Sequence, residues 1–457
     1  SMKRYFIAGF CLLFLISFSL PTAVWGDDEK KRLKVLEEIT GIRESDLPAP
    51  GKTPLSLFDV YALAVKKTEQ IAVSGEKYLQ AETHKNQAFG SMLPRISLKA
   101  IKVFPENDTP GYTPNTKTNV SLYARQPIIT GLQEWYTFKG SKYEIRMRRY
   151  ELAHNAGQLL LQVAQYYFSV LQMERTLKNK QEIISLYKKT LGELKRRVRV
   201  GRSRETEVLR INTEIYKLEA EIKSLRKELE SSRMSLSVLA SMPVDSTLTD
   251  EEIAGKSVVP KERLKDILKE RWDVKAVQEE IKYAETRLRV EQGGHLPSIY
   301  LEGYYRLYQK DMSGRDYYGA LGAELPLFSG GIVSARVKEA RSSLRQAELK
   351  YAQTLRTART EMADAYQRWE STRGELEAYK SALDSAERNY RALMKEYRLN
   401  LVTILDVFTA LTSLYNARED YETIRLQNSY NRIRLGVALN EFSGSGVLNL
   451  KSTPRKK

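Results

Sequence analysis

Cysteine and histidine are scarce in this sequence. Its 457 residues include one cysteine, Cys11, and three widely separated histidines, His84, His154 and His295. One cysteine cannot form a disulfide within the chain, and none of the histidines has the short spacing that zinc sites use. Because phosphate-binding glycine loops and metalloprotease motifs are also missing, we predict no catalytic residues, no bound metal and no cofactor.

Long apolar runs are missing after the N-terminus. Lys3 and Arg4 precede an apolar run from Tyr5 to Leu20, and Val24-Trp25-Gly26 offers small residues before an acidic stretch. This pattern predicts a secretory signal peptide over residues 1–26, with an uncleaved anchor helix as the alternative. Cleavage would also remove Cys11. No later segment approaches 18 consecutive apolar residues, so we expect no transmembrane helix after the signal.

Acidic residues are too few to balance the basic ones. The chain has 74 Lys and Arg against 57 Asp and Glu, for a formal charge of +17. A basic chain can bind nucleic acid, but export from the cytoplasm argues against that partner. Anionic lipid head groups, acidic solutes or plain solvent are the expected surroundings.

One pattern occurs twice. The segment Gly90-Ser91-Met92-Leu93-Pro94 returns 203 residues later as Gly293-Gly294-His295-Leu296-Pro297, and 126–131 returns 199 residues later as 325–330. Each copy reads as a helix, a strand that begins after Leu-Pro, a polar turn, a second strand and a long helical hairpin. A repeat of this length indicates a duplicated structural unit and not a short solenoid module.

Two segments in each copy alternate apolar and polar residues. We predict strands at about 93–104 and 117–127, and at about 296–308 and 317–326, joined by turns at 105–111 and 310–316. The alternation gives a sheet that is wetted on one side only, with strands long enough to cross a bilayer when tilted. The residues expected to face lipid are Leu122, Ala124, Leu301, Leu321 and Ala323; those expected to face water are Lys99, Arg125, Glu302 and Arg306. Tyr304, Tyr305, Tyr308, Tyr317 and Tyr318 are expected to form an interfacial aromatic girdle.

Proline is absent from two long stretches, 128–242 and 327–453. Within them, apolar residues step by three and four around short breaks at 199–205 and 398–403, which predicts antiparallel coiled-coil hairpins. Each rising helix has about 65 residues and would be roughly 100 Å long. Residues from Ser56 to about Gln87 read as a further helix with Ser56 as its N-cap.

The fold class is therefore mainly α with a small β part, built from a duplicated unit. We divide the chain into a signal peptide (1–26), an N-terminal extension and linker (27–55), a first repeat (56–242), a linker (243–261), a second repeat (262–442) and a flexible basic tail (443–457). Four strands do not close a barrel, and unpaired strand edges in lipid cost several kcal/mol per group. Two or more copies must therefore combine their strands, because the smallest bacterial barrels have about eight.

This layout resembles the TolC family of outer membrane efflux proteins. The resemblance rests on the two Leu-Pro strand entries, the strand-to-helix exits at 126–131 and 325–331, the two hairpin tips and Tyr415-Asn416-Ala417, and it covers about residues 55–442. It implies a homotrimer in the cell outer membrane of a Gram-negative bacterium. Each protomer would add four strands to a twelve-stranded barrel, and its helices would form an α-barrel in the periplasm.

The resemblance also implies a function and partners. The trimer would be the passive exit duct of a tripartite efflux pump or a type I secretion system. Its hairpin tips would dock on a periplasmic adaptor (membrane fusion) protein, which connects it to an inner-membrane transporter of RND, ABC or MFS type. The tip residues at these positions are Val200, Gly201, Arg202, Ser203, Leu399, Asn400, Leu401 and Val402. Arg202 and Asn400 depart from the family pattern, which has a small or apolar residue and a glycine there.

Glu207 and Asp406 occupy equivalent positions just behind the two tips. Acids in the first turn of a helix complement its dipole, which could be their whole role. The functional alternative is a ring of carboxylates that narrows the pore and favours cations. By family position, Tyr397 and Arg425 would be their partners at this constriction.

Two classes of function remain open at this point. The first is a transport channel, and the second is a secreted periplasmic coiled-coil scaffold without channel activity. Two membrane-length hairpins of strands favour the channel, and no residues support an enzyme.

Overall fold

The computed structural model describes residues 24–49, 53–103, 117–250, 264–310, 316–399 and 401–441. Several predicted features lie wholly or mostly outside this part of the chain. They are the signal peptide with Cys11, the two strand-connecting turns, the C-terminal half of the linker 243–261, Asn400 and the basic tail.

The first repeat consists of two helices, two strands and a long helical hairpin. After an N-terminal helix α1 (Val24–Thr40) and a single 3₁₀ turn (Glu44–Asp46), the helices are α2 (Leu57–Lys67), α3 (Glu69–Gly90), α4 (Gln133–Arg199) and α5 (Glu205–Ala240). The strands between α3 and α4 are β1 (Arg95–Val103) and β2 (Lys117–Thr130).

The second repeat has the same elements in the same order. A short helix α6 (Leu264–Glu270) leads into α7 (Trp272–Gly293), followed by the strands β3 (Ser298–Lys310) and β4 (Tyr317–Glu324) and by the hairpin of α8 (Ile332–Arg398) and α9 (Ile404–Ala438). Helices α4 and α8 both have 67 residues, and α3 and α7 both have 22. These equal lengths show that the repeat in the sequence is also a repeat in the structure.

The helix predicted from Ser56 to about Gln87 is two helices. Ser56 is the N-cap, as expected, and it forms a capping box with Asp59. The chain then breaks at Thr68, which has extended backbone angles and whose hydroxyl donates to the carbonyl of Leu239 at 3.1 Å. This tertiary hydrogen bond offers Thr68 a partner outside the helix, which local periodicity could not predict.

The segment predicted as extension and linker contributes to the core. Leu36, Ile39 and Leu55 are buried with α2 and α4. Leu55 also forms a parallel bridge with Leu248, through backbone hydrogen bonds to Thr247 and Thr249. The start of the linker between the repeats is thus attached to the segment that precedes the first one.

The four strands form one antiparallel sheet in the order β1-β2-β3-β4. Its two faces differ as the alternation predicts. Leu122 lies opposite Leu98 and Tyr305, and Leu301 lies opposite Leu321, on an apolar face whose large side chains are exposed. Lys99, Arg125, Glu302 and Arg306 lie on the other, polar face, so the predicted division of these residues between two faces is confirmed.

The predicted aromatic girdle is wrong for two of its five tyrosines. Tyr305 and Tyr317 pair on the apolar face, and a bulge after Arg306 sets Tyr308 opposite Val120 on that same face. Tyr304 and Tyr318 instead pair on the polar face, with ring centroids 4.6 Å apart. One residue of offset moves a side chain to the opposite face of a strand, so a count of tyrosines near strand ends could not separate the two groups.

The two repeats meet closely where β2 leads into α4. Gly131 has φ +59°, and a Cβ there would lie 2.0 Å from the carbonyl oxygen of Gly293 at the end of α7. Only glycine accommodates both the backbone angle and this approach.

None of the helices in the described residues is long and apolar enough to span a membrane.

Candidate functional site

The two hairpin tips are short loops, 200–204 and 399–403. Gly201 lies two residues beyond the end of α4 and has φ +71°. Its N–H donates to the carbonyl of Val198, and the N–H of Arg202 donates to the carbonyl of Arg197. This is a glycine-terminated helix end. In the second tip the N–H of Leu401 donates to the carbonyl of Glu396, which mirrors the bond from Arg202 to Arg197 one repeat earlier. The tips are therefore built alike, although Asn400 itself lies outside the described residues.

Apolar side chains at both tips face solvent. Val200 is 67% exposed, Leu399 62% and Leu401 71%, while Val402 is half-buried. Arg202 is exposed and Ser203 is half-buried. Exposed apolar side chains on a stiff support are typical of binding surfaces.

The support behind the tips is a single apolar cluster that joins the two hairpins. It contains Tyr187 and Ile211 from the first hairpin and Tyr397 and Phe408 from the second. The rings of Tyr187 and Phe408 are 4.8 Å apart, and the hydroxyls of Tyr187 and Thr412 share a hydrogen bond of 2.7 Å. Within one protomer the two tips are therefore held in a fixed relation to each other.

Asp406 is engaged in a helix cap. The backbone N–H and the hydroxyl of Thr403 donate to its carboxylate at 2.9 and 2.6 Å, and these bonds lower the pKa of Asp406. The carboxylate is exposed and ionised at neutral pH, which agrees with the dipole role and leaves it available to a pore. Glu207 is also the third residue of its helix and is half-buried.

The structure brings Tyr397 close to Glu207 but separates Arg425 from both. Burial raises the pKa of Tyr397, the Arg197 guanidinium 4.5 Å from its ring opposes this rise, and the charges of Glu193 and Glu207 add to it. Arg425 lies 21 residues beyond the start of α9, which is about 30 Å along the helix. The prediction that Arg425 partners Glu207 and Asp406 at the constriction is therefore wrong within a protomer, because family position gave no information about its distance from the tip.

Arg425 instead anchors the linker between the repeats. Its two terminal nitrogens donate to the two oxygens of Asp250 at 3.0 and 2.8 Å, and Arg175 donates to the same carboxylate. Burial alone would raise the pKa of Asp250, but the hydrogen bonds from Arg425 and Arg175 outweigh it and lower that pKa. Asp250 thus connects α4 and α9 through the linker, a role that its position in a predicted linker could not reveal.

We expect Asp250→Asn to lower the free energy of unfolding by about 1–3 kcal/mol at pH 7, because it leaves two arginines without their shared carboxylate. A carboxyl with a depressed pKa stabilises the fold above its unfolded pKa of about 3.9 and loses that contribution as pH falls through its folded pKa. The difference between the variant and the parent should therefore shrink below about pH 4. Urea unfolding in detergent at pH 7 and pH 3.5 measures this difference in the free energy of unfolding. Asp245→Asn, an exposed site in the same linker, is the control, and equal losses at both sites would contradict this role.

The second half of the chain matches a known family. Residues 264–441 match the model of the outer membrane efflux protein family. The chain is 23% identical to the outer membrane protein TolC of Escherichia coli over 427 residues, which cover 88% of this chain and 85% of TolC.

Solved outer membrane proteins have the same fold. The outer membrane protein VceC of Vibrio cholerae superposes with a TM-score of 0.71 at 19% identity, covering 85% of this chain and 96% of VceC. The CmeC outer membrane channel of Campylobacter jejuni gives 0.74 at 17% identity, covering 86% and 88%.

The second half of the chain is thus similar to the outer membrane efflux proteins, and the fold of the chain is that of the solved structures above. The resemblance to the TolC family predicted from the sequence is confirmed, as are the fold class and the location in the outer membrane of a Gram-negative bacterium. The matched family consists of efflux channels and not of enzymes.

Proposed function

We propose that three copies of this chain form one channel, the passive exit duct of a tripartite efflux pump or a type I secretion system. The observation that carries this proposal is a sheet with an exposed apolar face and two outer strands, β1 and β4, that each pair on one side only. In lipid, such edges must find partners. Three sheets of four strands, with β1 of one copy beside β4 of the next, would leave no free edge.

The junction between β4 and α8 supports assembly. Leu327 and Phe328 are about nine-tenths exposed there, at 91% and 90%. Large apolar side chains this exposed mark contact surfaces, and a neighbouring copy would cover them. A periplasmic scaffold without a channel would leave both this junction and the apolar face of the sheet in water, so the structure offers no support for that alternative.

The tips are proposed as the docking surface for a periplasmic adaptor, which would connect the duct to an inner-membrane transporter. Their exposed apolar side chains and the fixed relation between the two hairpins support this. Tyr397, Glu207 and Asp406 are proposed to line the narrow end of the duct. In a trimer, two acids per copy would give six carboxylates around one axis.

Conductance across planar bilayers tests both the channel and the carboxylate ring. We expect the purified protein to conduct, to prefer cations and to be blocked by trivalent cations from the side of the tips, because ringed carboxylates concentrate them. Replacing both acids, Glu207→Gln with Asp406→Asn, should relieve the block by tenfold or more in cation concentration. Asn at 406 keeps an oxygen for the hydrogen bonds from Thr403, so the cap should persist.

The control is the pair Glu228→Gln with Glu230→Gln, which removes the same charge from an exposed part of α5. A protein that forms no conducting trimer would overturn the proposed function. A conducting double variant with unchanged block would show that Glu207 and Asp406 are helix-terminus residues only.

A further inference from the structure

The polar face of the sheet carries its charges in rows. Hydrogen-bonded neighbours place Arg95, Arg125, Glu302 and Ala320 side by side across the four strands, which we call the arginine row. The next row on the same face, the tyrosine row, contains Ser97, Tyr123, Tyr304 and Tyr318. Lys99 lies opposite Ser121 one row further on, and Ser121 lies opposite Arg306.

Glu302, the carboxylate of the arginine row, accepts its side-chain hydrogen bonds from the tyrosine row. Tyr123 donates its hydroxyl to one oxygen of Glu302 at 2.6 Å, and Tyr318 donates to the other at 2.9 Å. Across the described residues, neither Arg95 nor Arg125 forms an ion pair. In the arginine row two guanidinium groups therefore lie beside one carboxylate, and that carboxylate accepts its hydrogen bonds from tyrosines.

Arg95 and Arg125 are direct cross-strand partners. Like charges in this arrangement destabilise a sheet. The Arg125 guanidinium stacks 3.9 Å from the ring centroid of Tyr300. This contact orients the side chain but does not neutralise its charge. An anionic group between the two guanidinium groups would remove the repulsion and accept paired hydrogen bonds from each.

The tyrosine row offers ring surface more than hydroxyl groups, because the hydroxyls of Tyr123 and Tyr318 are already donated to Glu302. Tyr304 and Tyr318 are packed edge to face, and Tyr318 is 36% exposed. Neighbouring rows on one face are about 7 Å apart. That distance suits an anionic group attached directly to a one- or two-ring aromatic system.

We propose that the arginine and tyrosine rows form a binding site for aromatic organic anions, such as sulfonates, carboxylates or phosphate esters that carry a ring. The proposal rests on the proposed function only in placing this face in the lumen of the duct. There the site would lie on the path of the cargo at the level of the membrane, and three copies would make that part of the lumen attract anions.

Binding of naphthalene-1,5-disulfonate to the full chain in neutral detergent tests the site. Saturation-transfer-difference NMR at low ionic strength, where screening is weak, gives its Kd. We expect ethane-1,2-disulfonate, with the same charge and no ring, to bind at least fivefold more weakly. Arg95→Gln with Arg125→Gln should raise the Kd of the aromatic probe tenfold or more, and Tyr318→Leu should reduce the preference for it over the aliphatic probe.

The matched control is Arg226→Gln with Lys227→Gln, which removes two positive charges from an exposed stretch of α5 and should leave both Kd values unchanged. Arg125→Lys covers the case in which the double variant fails to fold, because it keeps the charge but should still weaken binding through loss of the planar guanidinium. No binding, equal binding of both probes, or equal effects in the control would overturn the proposal. Conductance of the same preparation separates the binding-site proposal from the channel proposal. A protein that conducts but does not bind the aromatic probe refutes only the binding site. A protein that binds the probe but does not conduct refutes only the channel.

Discussion

Leu321→Arg is expected to prevent assembly in the outer membrane. Leu321 is 70% exposed on the apolar face of β4 and lies opposite Leu301. An arginine there would have to enter hydrocarbon, at a cost of roughly 2–4 kcal/mol per site near the middle of the bilayer. A trimer repeats that cost three times, so mature trimers should fall to a small fraction of the parent level. Outer membrane fractionation followed by electrophoresis of unheated samples measures the remaining trimer.

Ala320→Arg is the matched control for this prediction. It introduces the same side chain one residue away on the same strand, but on the polar face and opposite Glu302. A guanidinium there faces water and a carboxylate, so we expect trimers close to the parent level. Equal loss of trimer in both variants would contradict the orientation of the sheet, and an assembled Leu321→Arg trimer would contradict lipid contact at β4.

The elements of this fold could be predicted because each depends on a local pattern. Period-two alternation identified the apolar and polar faces, and Leu301, Leu321 and Arg125 lie where it places them. Long stretches without proline predicted the long helices, and the structure has 67 residues in both α4 and α8. Local patterns are informative here because each long helix or strand repeats its own signal several times.

The contacts between elements could not be predicted in the same way. The break at Thr68 depends on a carbonyl 171 residues away, and the Arg425–Asp250 pair joins residues 175 apart. The face of Tyr308 depends on a bulge that shifts the register of β3 against β2. Bulges and tertiary hydrogen bonds leave no periodic signal, so the sequence identified the tips and the faces but not the partners of individual charges.

The same limit applies to the candidate sites. The sequence placed Glu207 and Asp406 behind the tips, and they are the third residues of α5 and α9. The sequence placed Arg125, Glu302 and Arg306 on the wetted face. It could not show that Glu302 accepts hydrogen bonds from two tyrosines. A residue's face follows from its own strand, whereas its hydrogen-bond partner depends on the register of the neighbouring strands.

Leu401→Asp, and equally Val200→Asp, is expected to abolish export while trimers still reach the outer membrane. Both side chains are exposed at the tips and neither belongs to the buried cluster behind them, so folding should be little affected. In a docked complex, however, an aspartate would be buried against apolar surface. Truncating a central interface residue typically costs about 2 kcal/mol or more, and burying an unpaired charge adds to that cost. Docking should therefore weaken by at least thirtyfold, since 1.4 kcal/mol is about a factor of ten.

Two readouts separate docking from assembly in these variants. Trimer in the outer membrane is measured as for Leu321→Arg, and docking is measured by cross-linking to the co-expressed periplasmic adaptor through Arg202→Cys, alongside export in cells that lack their own copy of the gene. Ser231→Asp adds the same charge to an exposed position on α5, about 40 Å from the tip by helical rise, and should leave export and cross-linking unchanged. Leu401→Met, which keeps an apolar side chain, should retain most activity. Normal export and cross-linking in Leu401→Asp and Val200→Asp would show that the adaptor binds elsewhere, and the exposed apolar residues at the tips would then need another partner.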